Sequence, residues 1–232
     1  MVQIIEPTYE ILSYEETALT NIERAARTCY KSEDKIIDDY SAKKLVYSLI
    51  KRGHMAMIEF GGDLVVKFVS NRGFSHEVVR HRLASFGQES TRYCNYSKSK
   101  FGAEITCVNP YSVVMRKLGH DQNHAMKIAE TMILAWRDAE DHYMDLIRMG
   151  VPPDIAREVL PIGVKAEIVV KANVREWRHI FTQRCSKKAH PRMRELMIPL
   201  LKEVNELVPV VFEDILSNHL LSEVCLPKAE RF

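Results

Sequence analysis

Residues 121–149 repeat apolar side chains at helical spacing, Ala125, Ile128, Ala129, Met132, Ala135, Trp136, Ala139, Tyr143 and Leu146, until Gly150 and Pro152 stop the pattern. A stripe that continuous has to be covered by other protein, so it is core or subunit interface and not a ligand site. Further helices are expected over residues 15–30, through Leu19, Ile22, Ala26 and Cys29, and over 38–52, through Ala42, Leu45, Val46, Leu49 and Ile50 with Gly53 as the stop. Residues 72–82, 153–160, 174–185, 192–207 and 208–217 also read as helical. Strand alternation marks 60–70, where Leu64, Val66, Phe68 and Ser70 share a face, together with 166–172 and the first few residues. Residues 98–111 read as irregular. Mixed periodicities without a linker, repeat or low-complexity tract predict a single α+β domain spanning residues 1–232.

The charge balance, 33 basic against 31 acidic residues for a net +2, gives no global cationic field for nucleic acid. No apolar run is long enough for a membrane helix and no charged leader precedes an apolar stretch, so a cytoplasmic protein without membrane partners is expected. Five scattered cysteines, Cys29, Cys94, Cys107, Cys185 and Cys225, contain no C-x-x-C pair, which predicts reduced thiols and no zinc site. His120, His124 and His142 are left unassigned.

The densest chemistry lies in Arg80-His81-Arg82-Leu83-Ala84-Ser85-Phe86-Gly87-Gln88-Glu89-Ser90-Thr91-Arg92. Three guanidiniums that stay charged, interleaved with hydroxyls, suit a phosphate or carboxylate. Just upstream, His76-Glu77-Val78-Val79-Arg80-His81 approaches the zinc peptidase motif H-E-x-x-H. Its histidines are five apart instead of four, which turns the second ring off the face of the first. No metal site is expected. A second dense segment, Asn173-Val174-Arg175-Glu176-Trp177-Arg178-His179-Ile180-Phe181-Thr182-Gln183-Arg184, carries more cations, with Trp177, Ile180 and Phe181 available for packing. Cys185 lacks the proline-cysteine context of an activated nucleophile and reads as structural.

The first segment resembles the R-H-R-x-x-S-x-x-x-x-S-x-R signature of the flavin-dependent thymidylate synthases. The second resembles the same family's N-x-R block, and Ala156-Arg157-Glu158-Val159-Leu160-Pro161 its A-R-x-x-L-P block. The resemblance covers roughly residues 25–195 and implies a mostly antiparallel central sheet flanked by helices. It implies reductive methylation of dUMP to dTMP, with FAD as cofactor and with NADPH and 5,10-methylenetetrahydrofolate as co-substrates. It also implies a homotetramer with shared sites. By position, the resemblance assigns Glu77, Arg80, Gln88, Glu89, Ser90, Thr91, Arg92, Arg157 and Arg184 to dUMP. It assigns His54, Ala56, Glu59, Arg80, His81, Arg82, Gln88, Asn173, Val174, Arg175 and His179 to FAD. Arg184 and Ser90 are the catalytic candidates. A fixed cation at Arg184 would favour ionisation of uracil N3 and so make C5 more nucleophilic; for Ser90, chemistry and substrate holding both stay open. The match weakens at Gly53-His54-Met55-Ala56-Met57-Ile58-Glu59-Phe60, since relatives read G-H-x-S/T-x-x-E-H. Ala56 and Phe60 each remove a polar side chain.

Two rival readings stand beside this one. An inactive flavin- or nucleotide-binding relative would keep the fold and lose turnover through Ala56 and Phe60. A nucleic-acid-binding module would use Arg80, Arg82, Arg92, Arg175 and Arg178 on phosphates and show a salt-steep affinity for DNA without flavin.

Overall fold

Local chemistry sets the element boundaries of the computed structural model, which describes residues 2–98, 102–119 and 121–224. The strands are β1 (Gln3–Ile5), β2 (Thr8–Ser13), β3 (Asp63–Asn71), β4 (Ser85–Gln88), β5 (Thr106–Val108) and β6 (Lys165–Asn173). The helices are α1 (Ala18–Tyr30), α2 (Asp39–Lys51), α3 (Arg72–Val78), α4 (Tyr111–Leu118), α5 (Gln122–Arg148), α6 (Pro153–Ala156), α7 (Val174–Arg184), α8 (Pro191–Leu207) and α9 (Glu213–Val224). Antiparallel pairing builds a four-stranded sheet in the order β2-β3-β6-β4, while β1 and β5 pair in parallel. The class is α+β, as expected.

Side-chain caps start the helices. Asp38 accepts from the Ser41 amide at 2.9 Å, Asp121 from His124 at 3.1 Å, and the His190 ring nitrogen from Arg192 at 3.2 Å, with Pro191 following. Gly53 lies beyond α2 at φ +74, as a terminator should. One arrangement occurs twice: the nine-residue strands β3 and β6 each end in an asparagine that caps the next helix. Asn71 accepts from the Phe74 amide and Asn173 from the Glu176 amide, both at 2.9 Å. This structural repeat was not visible as sequence identity.

Cα proximity divides the chain into two units. The first comprises Met1–Glu10, Lys67–Arg80 and Phe86–Val170. Its core gathers Val2, Tyr96, Ile105, Cys107, Trp136, Tyr143, Ala156 and Val164. The long helix α5 contributes Ala125, Ala129, Trp136 and Tyr143 to the buried side, but Met132 and Ala135 of the expected stripe are exposed. The polar Glu140 is buried in their stead, because its carboxylate accepts the Ile105 amide at 2.9 Å. Gly163 admits no side chain, since a Cβ there would sit 2.4 Å from the Trp136 ring.

The second unit comprises Ile11–Val66, His81–Ser85 and Lys171–Phe232. Trp177, Ile180 and Phe181 are fully buried, and the Trp177 indole donates to the Leu64 carbonyl at 2.9 Å. Arg178 is buried too, its guanidinium held bidentate by Asp214 at 2.7 Å for each bond.

Three expectations need correction. The helix drawn over 72–82 stops at Val78, because the tandem β-branched Val78 and Val79 weaken its last turn and the chain must be extended again by Ser85 to form β4. The helix drawn over 208–217 begins only at Glu213. Pro209 cannot donate to a first turn and Val210 adopts φ +72, its amide satisfied by the Glu213 carboxylate. The segment 98–111 is not wholly irregular, for it contains β5, and β2, β4 and α4 were also missed. His120 and Cys225 lie outside the described residues. No described helix is long and apolar enough to cross a membrane.

Candidate functional site

Within the first unit, the segment after β4 and the turn after α6 meet at a cavity of about 400 Å³ lined by Arg72, His76, Thr91, Arg157, Leu160 and Ile162 among others. Thr91 is buried, and the Arg157 guanidinium donates to its hydroxyl at 3.3 Å. Arg72, in the first turn of α3, approaches the His76 ring at 3.5 Å. Two guanidiniums, an imidazole and a hydroxyl around one cavity, with Glu158 as the single carboxylate, leave a surplus of donors for an anion. The sequence reading found Thr91 and Arg157 but missed Arg72 and His76. The signal available was their spacing of four on one helix, overlooked because His76 was weighed only as a zinc ligand.

The other expected nucleotide residues of this unit are placed as follows. Ser90 sits at a tight turn where its hydroxyl accepts the Arg92 amide at 3.4 Å and its carbonyl accepts from Tyr93 and Cys94. Arg92 is exposed, 5.4 Å from the Tyr93 ring centroid. Gln88 donates to Ser75 at 3.0 Å, so its side chain steadies α3. Glu89 is drawn 3.2 Å from the Lys165 ammonium and is reached by the Tyr96 hydroxyl at 3.4 Å. Glu77 is half-buried and Arg80 exposed.

Within the second unit the two dense segments meet directly. His81, buried to 3% exposure, accepts a hydrogen bond at Nε2 from Arg184 Nε at 2.9 Å, across 103 residues of sequence. Its Nδ1 lies 3.6 Å from the Glu176 carboxylate, and the His179 ring stands edge-on at 5.6 Å between centroids. Burial, then the Arg184 charge, then His179 depress the His81 pKa to about 4, so the ring is neutral at neutral pH. Burial raises the Glu176 carboxyl, opposed by His179 and Arg175.

Beside this cluster Arg175 is paired with Glu59 at 2.8 Å, which docks the 3-10 turn Met55–Gly61 onto α7. His54, Ala56, Glu59, Arg82, Arg175 and His179 are all exposed, and all but Ala56 offer side-chain donors or acceptors. Val174 points the other way. Its side chain is buried beneath Gly61 and its amide donates to the Gly62 carbonyl, while the Asn173 side-chain oxygen is spent as a helix cap. Phe60, standing where the resemblance expects histidine, is 56% exposed.

Both buried cysteines that could be asked to act as nucleophiles are unsuited to it. Burial pushes the Cys107 and Cys185 thiols up to about 12. Arg178, one of the cations a phosphate-reading surface would need, is committed to Asp214.

A family model described as thymidylate synthase complementing protein matches residues 10–210. The chain belongs to that family. Among curated relatives, a flavin-dependent thymidylate synthase of Geobacter sulfurreducens is 32% identical over 195 residues, covering 82% of this chain and 78% of the relative. One of Pyrococcus abyssi is 30% identical over 211 residues, covering 87% and 81%. The fold is shared with a UMP/dUMP methylase, PolB from Streptomyces cacaoi bound with 5-Br dUMP. The TM-score is 0.78 at 19% identity over 91% of this chain and 96% of that one. In this member of the thymidylate synthase complementing family, the Arg184–His81 contact and the Thr91–Arg157 contact each join two of the blocks recognised in sequence.

Proposed function

We propose that this protein methylates dUMP to dTMP, taking the one-carbon unit from 5,10-methylenetetrahydrofolate and using FAD reduced by NADPH. The observation that supports the reading is the cavity at Thr91, Arg157, Arg72 and His76, where two guanidiniums outnumber the one carboxylate, Glu158, and where two of the residues the resemblance gives to dUMP meet. A nucleotide phosphate there would take charge-assisted hydrogen bonds from both guanidiniums, with Arg92 at the exposed end of the same segment. Arg184 acts at the base: a cation held by His81 favours the N3 anion and raises electron density at C5. Ser90, at its turn, positions the nucleotide segment.

The donor set fits a flavin dinucleotide. Exposed Arg82 and Arg175 match its phosphates, Glu59 and His179 offer complementary polar atoms, and the Arg175–Glu59 pair pre-forms that face. His54, Ala56, His81 and Asn173 complete the set, with Val174 packing beneath it; Arg80 and Gln88, in the first unit, are assigned to the flavin by the resemblance alone. When bound, FAD supplies the hydride that completes the methyl group. We assign the working form to a homotetramer acting inside the cell and assembling each site from several chains.

The test is anaerobic: the purified protein is loaded with FAD and given NADPH with and without dUMP while the flavin band near ~450 nm is followed. Then methylenetetrahydrofolate is added and dTMP quantified. Bleaching accelerated by dUMP, followed by dTMP, is the expected result. Flavin that is reduced without any dTMP would make the protein an inactive relative, and no flavin uptake would overturn the reading.

A further inference from the structure

The cluster around His81 contains a carboxylate that neither the resemblance nor the cofactor set employs. Glu176 lies one residue past Arg175, in the first turn of α7, and is 6% exposed. Burying a carboxyl there is costly unless something compensates. Its amide is tied to the Asn173 cap, so the backbone fixes where the side chain starts. The carboxylate faces His81 Nδ1 at 3.6 Å. That distance is long for a hydrogen bond, so the interaction is one of charge with the ring's N–H dipole.

The other side of the ring removes any ambiguity about where its proton sits. A guanidinium Nε–H can only donate, so His81 Nε2 must present a lone pair to Arg184 at 2.9 Å. In a neutral imidazole the proton then resides on Nδ1, pointing at Glu176. The opposite tautomer would set two N–H groups against each other and release Arg184. The remaining charged or titratable neighbours are His179, whose ring is edge-on at 5.6 Å and linked to Gln183 at 3.0 Å, and Arg175, which is already paired with Glu59. Neither places a negative charge at Nδ1. His81, Glu176 and His179 have donor atoms within 4.8 Å of one another, yet a cation there would need the Nδ1 lone pair that this tautomer lacks.

Resting on the reading of Arg184 as the group that engages the substrate ring, we propose that Glu176 is a positioning residue: through His81 it selects the Nδ1–H tautomer and so holds Arg184 in place. The relay Glu176–His81–Arg184 gives the buried carboxylate a purpose in the reaction without contact with substrate.

The experiment is 15N-histidine labelling of the flavin-loaded protein with two-bond nitrogen–proton correlation spectra, joined to steady-state kinetics. Wild type is expected to show His81 as neutral Nδ1–H. Glu176→Ala is expected to populate the Nε2–H tautomer and to lower kcat about tenfold with the KM for dUMP changed far less, about 1.4 kcal/mol of lost transition-state stabilisation. Glu176→Gln, which keeps an oxygen dipole towards Nδ1–H but loses the charge, should recover both only in part. If the alanine variant fails to fold by circular dichroism, Glu176→Asp, which retracts the carboxylate by one methylene, takes its place with the same direction expected. An Nε2–H ring in wild type, or a tautomer unchanged on substitution, overturns the proposal. Absence of dTMP from the wild-type enzyme overturns the substrate reading instead, and the spectra separate the two failures.

Discussion

Arg72 and Arg157 line one cavity together with His76 and Thr91. Replacing either with alanine should raise the KM for dUMP about ten- to a hundredfold while leaving kcat within a few-fold, since one charge-assisted hydrogen bond contributes about 1.5–3 kcal/mol. Calorimetric titration of dUMP into each variant measures it directly. His81 gives a second prediction. Its folded pKa of about 4 lies below the value near 6.5 of the unfolded chain, so between those limits the unfolded state binds more protons. Stability from this residue is therefore complete above about pH 6.5 and is lost as pH falls toward 4. A His81→Gln variant should show a flatter dependence of melting temperature on pH in that window. At this scale sequence went far: Thr91, Arg157, His81 and Arg184 were all named. Arg72 and His76 offered only their spacing of four as a signal, and Glu176 offered none, because which side of a ring or cavity each faces is a three-dimensional fact.

Among the elements, the strand, asparagine cap and helix that occur twice are the part of the fold closest to the site. Asn71→Ala or Asn173→Ala should each cost about 1 kcal/mol by denaturant titration. Only the second should also weaken FAD, because α7 carries Arg175 and His179. Packing supplies a larger effect: Gly163→Ala drives a methyl into the Trp136 ring and should destabilise by about 1–3 kcal/mol. Long amphipathic helices such as α1, α2, α5 and α8 were legible because each buries one stripe. Several short elements were not, although the three-residue β1 and the four-residue α6 were. β2, β4 and β5 run for only six, four and three residues, too few for alternation to rise above background. The end of α3 was misjudged because tertiary demand, the return of the chain to the sheet and the burial of His81, overrode a local helical pattern.

Taken whole, the molecule has two units that share their strands: β2, β3, β4 and β6 each contribute residues to both. A sheet strand cannot melt over half its length without breaking its ladder, so a single cooperative transition is expected by calorimetry and denaturation alike, as for one domain. The chain also carries only two tryptophans, Trp136 in the first unit and Trp177 in the second, at 7% and 0% exposure. Each unit thus holds its own internal lamp, shielded from water and blue-shifted in emission. Trp136→Phe and Trp177→Phe leave one lamp lit apiece, and their fluorescence curves should superimpose when the protein unfolds. Where the two curves part, one unit lets go first, and the variant whose lamp dims or reddens earlier says which.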